Sequence, residues 1–147
     1  MARRKQVEPP SIQDLLRIYQ QTSSIAVVGA SANERKEANA IPRYLQSQGY
    51  RIIPVNPRGG EILGEHVHRS LGDVAIPIDV VDVFRPPEEA EEIAREAIEA
   101  STKVLWFQPG TATERAVGLA RDARLTVVAN LCMGATHSHL GLGPGPD

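Results

Sequence analysis

Short apolar runs alternate with amphipathic stretches along most of the chain. The runs are rich in β-branched residues, which is typical of strands buried on both faces of a parallel sheet. Five runs have this character: residues 25–29, 51–55, 78–84, 103–108 and 125–130. Because strands and helices alternate, the pattern predicts an α/β, Rossmann-like fold: a parallel sheet of about five strands, with right-handed crossovers and helices on both faces.

Helical stretches fill the spaces between these runs. Ser11 and an acid three residues later have the spacing of a capping box, which predicts a short amphipathic helix from that point. Prolines and glutamates at the start of residues 86–101 predict the clearest helix of the chain. Further helices are predicted over residues 113–123 and over residues 37–48, where Pro42 should lie near the first turn.

These elements divide the chain into three segments. Residues 1–23 are predicted to form an arm and a helix, residues 24–134 a ligand-binding domain of Rossmann-like fold, and residues 135–147 a C-terminal tail. We expect His137 and His139 to lie in this polar tail.

Composition narrows the classes of partner. The 147 residues are 41% hydrophobic with a net charge of -2, which indicates a globular domain without an overall attraction to nucleic acid or anionic lipid. A single cysteine excludes an intramolecular disulfide and fits a reducing compartment. No run approaches the roughly 18 apolar residues of a membrane helix, and no apolar stretch follows the basic start "MARRKQVEPP" as it would in a secretion signal. We therefore expect a cytoplasmic protein.

The loop after the first strand is the first candidate for ligand binding, because ligands bind beyond the carboxyl ends of parallel strands. Gly29 permits a sharp turn, and the small side chains of Ala30 and Ser31 would let backbone amides approach an anion at a helix N-terminus. Arg35 and Lys36 can add positive charge. The full G-x-G-x-x-G pattern is absent, so a simple tight turn with two solvated cations is the alternative.

The loop after the second strand reads Asn56-Pro57-Arg58-Gly59-Gly60. An NAD-binding domain usually places an acid near this point to hold the ribose 2′-hydroxyl. Here the stretch contains no carboxylate and has a cation, Arg58, which fits an adenosine nucleotide with an extra ribose phosphate. NADP and coenzyme A (CoA) both have that phosphate, and a plain turn is the structural alternative.

Four segments together resemble a known family: "SIAVVGAS", "YRIIPVNPRGGEILGEHVHRSL", "DVVDVFRPPEEA" and "VLWFQPGT". They are similar to the stand-alone CoA-binding proteins and to the nucleotide-binding domain of the succinyl-CoA synthetase α subunit, over about Ser24 to Cys132. The resemblance implies CoA along the carboxyl ends of the strands. Its phosphates would contact residues 29–31, and its 3′-phospho-ADP part would contact Pro57 and Arg58.

The same resemblance extends to the later strands. It implies that Val83, Phe84 and Arg85 border the adenine or the pantetheine arm, and that the stretch from Gln108 to Gly110 lies along the pantetheine path. Family members often have Asp-Arg-Cys after the fifth strand, whereas this chain has Asn130-Leu131-Cys132. The role of that last loop is therefore open.

Catalytic machinery and a metal site are not predicted. Ligase chemistry in the related synthetases needs a phosphohistidine and an ATP-grasp domain, and both lie outside the similar segment. The four histidines and Cys132 fit no common zinc spacing, and a buried apolar position is expected for Cys132. Asp79 and Asp82, at a spacing of three in one strand, should face opposite sides and make a poor acid/base pair.

The function predicted from the sequence is CoA binding without catalysis, as a carrier, a sensor or a thiol-capping partner. The alternative is a minimal NADP-dependent oxidoreductase, although an obvious proton donor and a substrate domain are missing. A module that binds a protein partner with an empty pocket is a third hypothesis.

Overall fold

The computed structural model describes residues 9–145 of the chain, so most of the predicted N-terminal arm lies outside the described residues. The strands within this range are β1 (Ser24–Val28), β2 (Arg51–Val55), β3 (Glu61–Ile62), β4 (Glu65–His66), β5 (Val80–Val83), β6 (Val104–Phe107) and β7 (Thr126–Ala129). The α-helices are α1 (Ile12–Gln21), α2 (Glu37–Ser47), α3 (Ala90–Glu99), α4 (Glu114–Asp122) and α5 (Met133–His139).

Five strands form one parallel sheet in the order β2-β1-β5-β6-β7, which confirms the predicted α/β Rossmann-like fold. β3 and β4 form a separate two-stranded antiparallel pair. The register aligns the last residues of neighbouring strands, so that Val28 pairs with both Val55 and Val83. The loops that follow these strands therefore leave the sheet side by side.

Helices cover both faces of the sheet, as predicted. Helices α3 and α4 pack on one face through alanines and branched residues, in a core that is apolar. Helices α1, α2 and α5 pack on the other face, around Leu45, Trp106 and Met133. Within residues 9–145, no helix combines the length and the apolar character that crossing a membrane requires.

Pro42 is the sixth residue of α2, so the prediction that it lies near the first turn is wrong. A proline has no N–H to donate to the carbonyl four residues earlier, here that of Ala38. The Ala38 carbonyl instead accepts a hydrogen bond of 3.3 Å from the Ser31 N–H in the loop after β1. A tertiary donor thus offsets the missing helical bond, and it ties α2 to that loop.

His137 does not lie in a polar tail, and that prediction is wrong. Residues 133–139 form α5, which crosses the predicted boundary at residue 134, and His137 is fully buried within it. The rings of Tyr19, Tyr44 and Tyr50 surround the imidazole, with centroid distances of 5.3, 5.5 and 5.6 Å. We call these four residues the ring cluster. His139, two residues later, is the last residue of α5 and is exposed.

Candidate functional site

The carboxyl ends of β1 and β2, together with α3, enclose a cleft of about 690 Å³. The cleft gathers eight of the residues that the sequence predicted for a nucleotide site: Gly29, Ala30, Ser31, Lys36, Asn56, Pro57, Arg58 and Arg85. We call this space the carboxyl-end cleft.

The loop after β1 forms the floor of the carboxyl-end cleft, with Gly29 at a φ of 93°. The Gly29 N–H donates to the Val55 carbonyl at 2.9 Å, and the Ser31 N–H donates to Ala38 as described above. The N–H groups of Gly29 and Ser31 therefore already donate to backbone carbonyls within the protein. Among the described residues, the amides of Ala30 and Ala32 donate to no protein acceptor, so they are the uncommitted donors of this stretch.

Asn56 joins the loops after β1 and β2. Its Nδ2 donates to the Ala30 carbonyl at 3.0 Å, while its Oδ1 accepts from the backbone N–H groups of Arg58 (2.8 Å) and Gly59 (3.1 Å). This side chain thus holds the turn that carries Arg58, in the manner of an Asx turn. The contacts give Asn56 a positioning role between the two loops.

Arg69 is a cation of the cleft that the sequence reasoning missed. Its Nη1 donates to the Pro57 carbonyl at 3.0 Å, and its guanidinium lies over Gly59, where an added Cβ would come within 3.1 Å of Nη2. A parallel bridge between Val55 and His68 brings this segment back to the end of β2. Arg69 stands within the segment "EILGEHVHRSL", but only this long-range pairing places it beside Arg58.

Arg85 lies across the loop after β1 and pairs with Glu89. Its Nε is 3.1 Å from Oε1 and its Nη2 is 2.6 Å from Oε2 of that carboxylate. The aliphatic stem of Arg85 packs on Gly29, since a Cβ added there would lie 2.7 Å from Arg85 Cδ. The hydrogen bond from Arg85 lowers the pKa of Glu89 below its ordinary value.

Helix α3 gives the cleft an acidic wall opposite the cations. Glu92 and Glu96 line it together with Glu89, and Glu61 of β3 is a further acidic lining residue. Burial, followed by the neighbouring carboxylates of α3, raises the pKa of Glu96. The cleft therefore has a basic side, built on the loops after β1 and β2, and an acidic side on α3.

The other predicted site residues do not line this cleft. Val83 is fully buried in the core below α3, and Phe84 packs against the opposite core. Arg35 is exposed and its N–H donates to Asn33 Oδ1 at 3.0 Å. Gln108 is buried and its Oε1 accepts from the Met133 N–H at 3.0 Å.

Gly110 lies between the loops after β6 and β7. Its N–H is 3.5 Å from Asn130 Oδ1, and Asn130 has a positive φ of 65° at the end of β7. Together with the bond between Gln108 and Met133, this contact holds the two loops side by side. Cys132, in the second loop, is half-buried rather than buried, and its Sγ accepts from the Ala135 N–H at 3.4 Å.

The two aspartates of the third predicted strand have separate surroundings. Asp79 accepts from the N–H groups of Ser23 and Ser24 at 2.8 and 3.2 Å and pairs with Lys103. Asp82 is fully buried beside the ring cluster, and neither of its carboxyl oxygens has a partner among the described residues. Burial raises its pKa well above the ordinary value, because the interior disfavours the charged form of the carboxyl.

Residues 9–145 contain no group of three or more His, Cys, Asp or Glu side chains that could hold a metal ion. A groove of about 600 Å³ lies at the amino ends of the strands, between α1 and β7. Two of its cations, Arg17 and Lys103, are paired with aspartates, and it lacks a loop of small residues after a strand.

Residues 23–138 match a family model described as "CoA binding domain". The chain belongs to the CoA-binding domain family. The match runs from β1 into α5 and includes the whole sheet, and it confirms the resemblance seen in the sequence.

Members and relatives of this family differ greatly in length. The chain is 35% identical over 132 residues to "Uncharacterized protein YneT" of Bacillus subtilis (strain 168), covering 90% of this chain and 98% of that one. It is 26% identical over 127 residues to an ADP-forming acetate–CoA ligase of Methanocaldococcus jannaschii, which covers 81% of this chain but 18% of the ligase. The solved structure of a hypothetical protein from Pyrococcus horikoshii OT3 matches with a TM-score of 0.88 and 36% identity, over 93% of this chain and 99% of that chain.

Proposed function

We propose that this CoA-binding domain protein binds CoA in the carboxyl-end cleft. The observation that carries the proposal is the meeting of a loop of small residues, Gly29 to Ser31, with a cation, Arg58, where an NAD site would have an acid. The family match supports the same ligand class.

The pyrophosphate of CoA would lie over the loop after β1. The uncommitted amides of Ala30 and Ala32 supply donors, and Lys36, at the N-terminus of α2, supplies positive charge where the helix dipole also favours an anion. Ser31 Oγ accepts from the Asn33 N–H at 3.0 Å and keeps its own proton to donate. Small side chains leave room for close approach.

The 3′-phosphate of the ribose would lie between Arg58 and Arg69. Both guanidinium groups line the cleft, and within residues 9–145 neither forms an ion pair. Arg69 is held by the Pro57 carbonyl, while the Asn56 turn positions Arg58. Two cations with no carboxylate partner fit a dianionic phosphate better than a free ribose hydroxyl.

The pantetheine arm would leave the cleft toward the loops after β6 and β7. Phe84 and Arg85 border this route beside Gly29, and Gln108 and Gly110 lie in the next loop along the sheet edge. In this proposal Val83 contributes backbone rather than a side-chain contact, because its side chain is buried in the core.

Calorimetric titration with CoA, 3′-dephospho-CoA and NADPH tests the assignment. We expect CoA to bind, and to bind more tightly than dephospho-CoA by about 10- to 150-fold, the value of one charge-assisted contact. A Ser31→Tyr variant should lose binding while keeping its fold by circular dichroism. Tight binding of NADPH with weak binding of CoA would favour the alternative, a minimal NADP-dependent oxidoreductase.

We further propose that binding is the whole activity, in a cytosolic carrier, sensor or thiol-capping role. The chain matches 18% of the archaeal ligase, and nothing in its sequence resembles a phosphohistidine segment or an ATP-grasp domain. Incubation with CoA, ATP and acetate should therefore yield neither acyl-CoA nor acid-labile phosphate on the protein. Formation of either product in proportion to protein would contradict this part of the proposal.

A further inference from the structure

The cations of the carboxyl-end cleft are not equivalent. Within residues 9–145, Lys36, Arg58 and Arg69 form no ion pair, whereas Arg85 makes a two-point contact with Glu89 at 2.6 to 3.2 Å. Arg85 also lies directly on the floor, because its stem occupies the space that a side chain on Gly29 would fill.

Glu89 is placed so that it competes with an anion for Arg85. The carboxylate lines the same cleft as the loop after β1, and the pair is half-exposed, with side-chain exposures of 45% for both partners. An ion pair of this exposure is weak, so a ligand phosphate could displace it at a small free-energy cost. Once displaced, Glu89 would remain as an unpaired negative charge beside the ligand.

We propose that Glu89 sets the affinity of the cleft for CoA by holding Arg85 away from the pyrophosphate. This inference rests on the proposed function, since it concerns the same site. On binding, the Arg85 guanidinium leaves Glu89 and contacts the pyrophosphate over Gly29. Glu89 then weakens binding in two ways: the ion pair must break, and the freed carboxylate repels the phosphates. The arrangement keeps affinity below what the four cations could give and favours release of the ligand.

Helix α3 offers a matched control for this inference. Glu91, two residues further along, pairs with Arg95 and Arg115 at 3.6 and 3.1 Å and is not among the residues that line the cleft. A Glu91→Gln change alters the net charge by the same amount as Glu89→Gln and also breaks ion pairs, in the first turn of the helix for which Glu89 is the N-cap. It should leave CoA affinity unchanged.

The test is a calorimetric cycle with CoA at low ionic strength, using wild type, Glu89→Gln, Arg85→Gln, the double variant and Glu91→Gln. Glu89→Gln should tighten CoA binding roughly three- to tenfold, the effect of one unit charge near the site in high dielectric. This gain should be about two- to fivefold smaller when Arg85 is already Gln, because no pair then has to break. Raising the salt concentration should shrink the gain.

Each outcome of the cycle has a distinct meaning. Wild-type protein that does not bind CoA would overturn the proposed function and this inference together. Wild type that binds CoA, with Glu89→Gln unchanged or weaker, would overturn this inference alone. An equal gain in Glu91→Gln would also overturn it, because the effect would then be one of net charge. If Glu89→Gln raises the affinity for CoA equally with and without Arg85, the Arg85 guanidinium does not leave Glu89 on binding. That result would overturn the inference.

Discussion

The carboxyl-end cleft and the ring cluster are both rich in polar side chains, yet they differ in burial and in charge. The cleft keeps Lys36, Arg58 and Arg69 at its surface without carboxylate partners among the described residues. In the ring cluster His137, Tyr19 and Tyr50 are buried, the Tyr44 hydroxyl lies 2.9 Å from His137 Nδ1, and the Tyr19 hydroxyl donates to the Met133 carbonyl. The exposed cations of the cleft are therefore accessible to a ligand, whereas the buried polar groups of the ring cluster are not.

The buried groups also have shifted pKa values. Burial lowers the pKa of His137 and raises that of Tyr19, which donates to the Met133 carbonyl at 2.7 Å, so both stay neutral at pH 7. Burial also raises the pKa of the Asp82 carboxyl, and the electrostatic influence of Asp82 adds to the raised pKa of Tyr19. Substitutions in the cleft should therefore change the affinity for CoA. Substitutions in the ring cluster and at Asp82 should change the free energy of unfolding and its dependence on pH.

The largest expected effect is that of Gly29→Val on the cleft. A Cβ at this position would meet Arg85 Cδ at 2.7 Å and the Phe84 carbonyl oxygen at 3.0 Å, on a backbone with φ of 93°. We expect CoA binding to be lost and the free energy of unfolding to fall by at least ~2 kcal/mol. Gly60→Val is the matched control, because Gly60 has the same φ but open space. Equal behaviour of the two variants would show that strain alone, and not the contact with Arg85, matters.

Next comes Arg58→Ala, which should weaken CoA binding by about 10- to 150-fold. Binding of 3′-dephospho-CoA should hardly change, since the contact that is lost is the one to the 3′-phosphate. The control is Arg121→Ala, which removes a cation from the groove at the amino ends of the strands. If CoA and dephospho-CoA lose affinity equally, Arg58 serves another part of the ligand, and Arg69 becomes the candidate for the phosphate.

Asp82→Val should stabilise the protein, in contrast to the changes in the cleft. The buried carboxyl has no partner among the described residues, and replacing an unsatisfied polar group with an apolar one of similar size gains ~1–3 kcal/mol. Its raised pKa means that the folded state stays protonated while the unfolded state ionises, so the gain should grow as pH rises above the unfolded pKa. Urea denaturation at pH 5 and pH 8 measures this.

The control for that variant is Asp79→Ala, which should destabilise the protein because Asp79 accepts two backbone N–H groups. The pKa of Asp79 is lowered by these bonds and by Lys103, so its contribution is lost as pH falls through the folded pKa. Should Asp82→Val destabilise the fold instead, the carboxyl must have a bound partner such as a buried water.

The smallest effect concerns His137. Its pKa is lowered by burial, so the unfolded state binds a proton near pH 6.5 while the folded state does not, and stability falls as pH drops below that point. The slope contributed by this one group is at most about 1.4 kcal/mol per pH unit. In urea denaturation at several pH values, His137→Phe should remove this dependence of the free energy of unfolding on pH. His139→Phe, at an exposed position of α5, should keep it. Equal slopes in both variants would contradict the assignment.

The sequence predicted the five-stranded sheet and the two loops on the basic side of the cleft, because both depend on local signals. Each strand is a short apolar run, and the residues at its end, such as Gly29 and Arg58, come together whenever the strands are parallel and in order. Pairing of the last residues of β1 and β2 then brings the two loops to one edge. The location of these residues therefore follows from the strand order alone and requires no prediction of a long-range side-chain contact.

The features that the sequence missed depend on tertiary contacts. Arg69 reaches the cleft only through the bridge between His68 and Val55. Pro42 is tolerated inside α2 because a loop amide bonds to the carbonyl that it leaves free. Helix α5 has the weakly helical sequence "MGATHSH", and it forms where Gly134 lets it approach Ile41 closely, since an added Cβ would come within 3.0 Å of Ile41 Cγ2.

Hydrogen exchange with and without CoA, read by mass spectrometry on the intact chain, tests the central claim most directly. Ligand binding in the carboxyl-end cleft should slow exchange in residues 29–36 and 56–60, where the uncommitted amides and the Asn56 turn lie. Exchange in α1 and at the groove between α1 and β7 should not change. Protection confined to that groove, or none at saturating CoA, would contradict the location of the site.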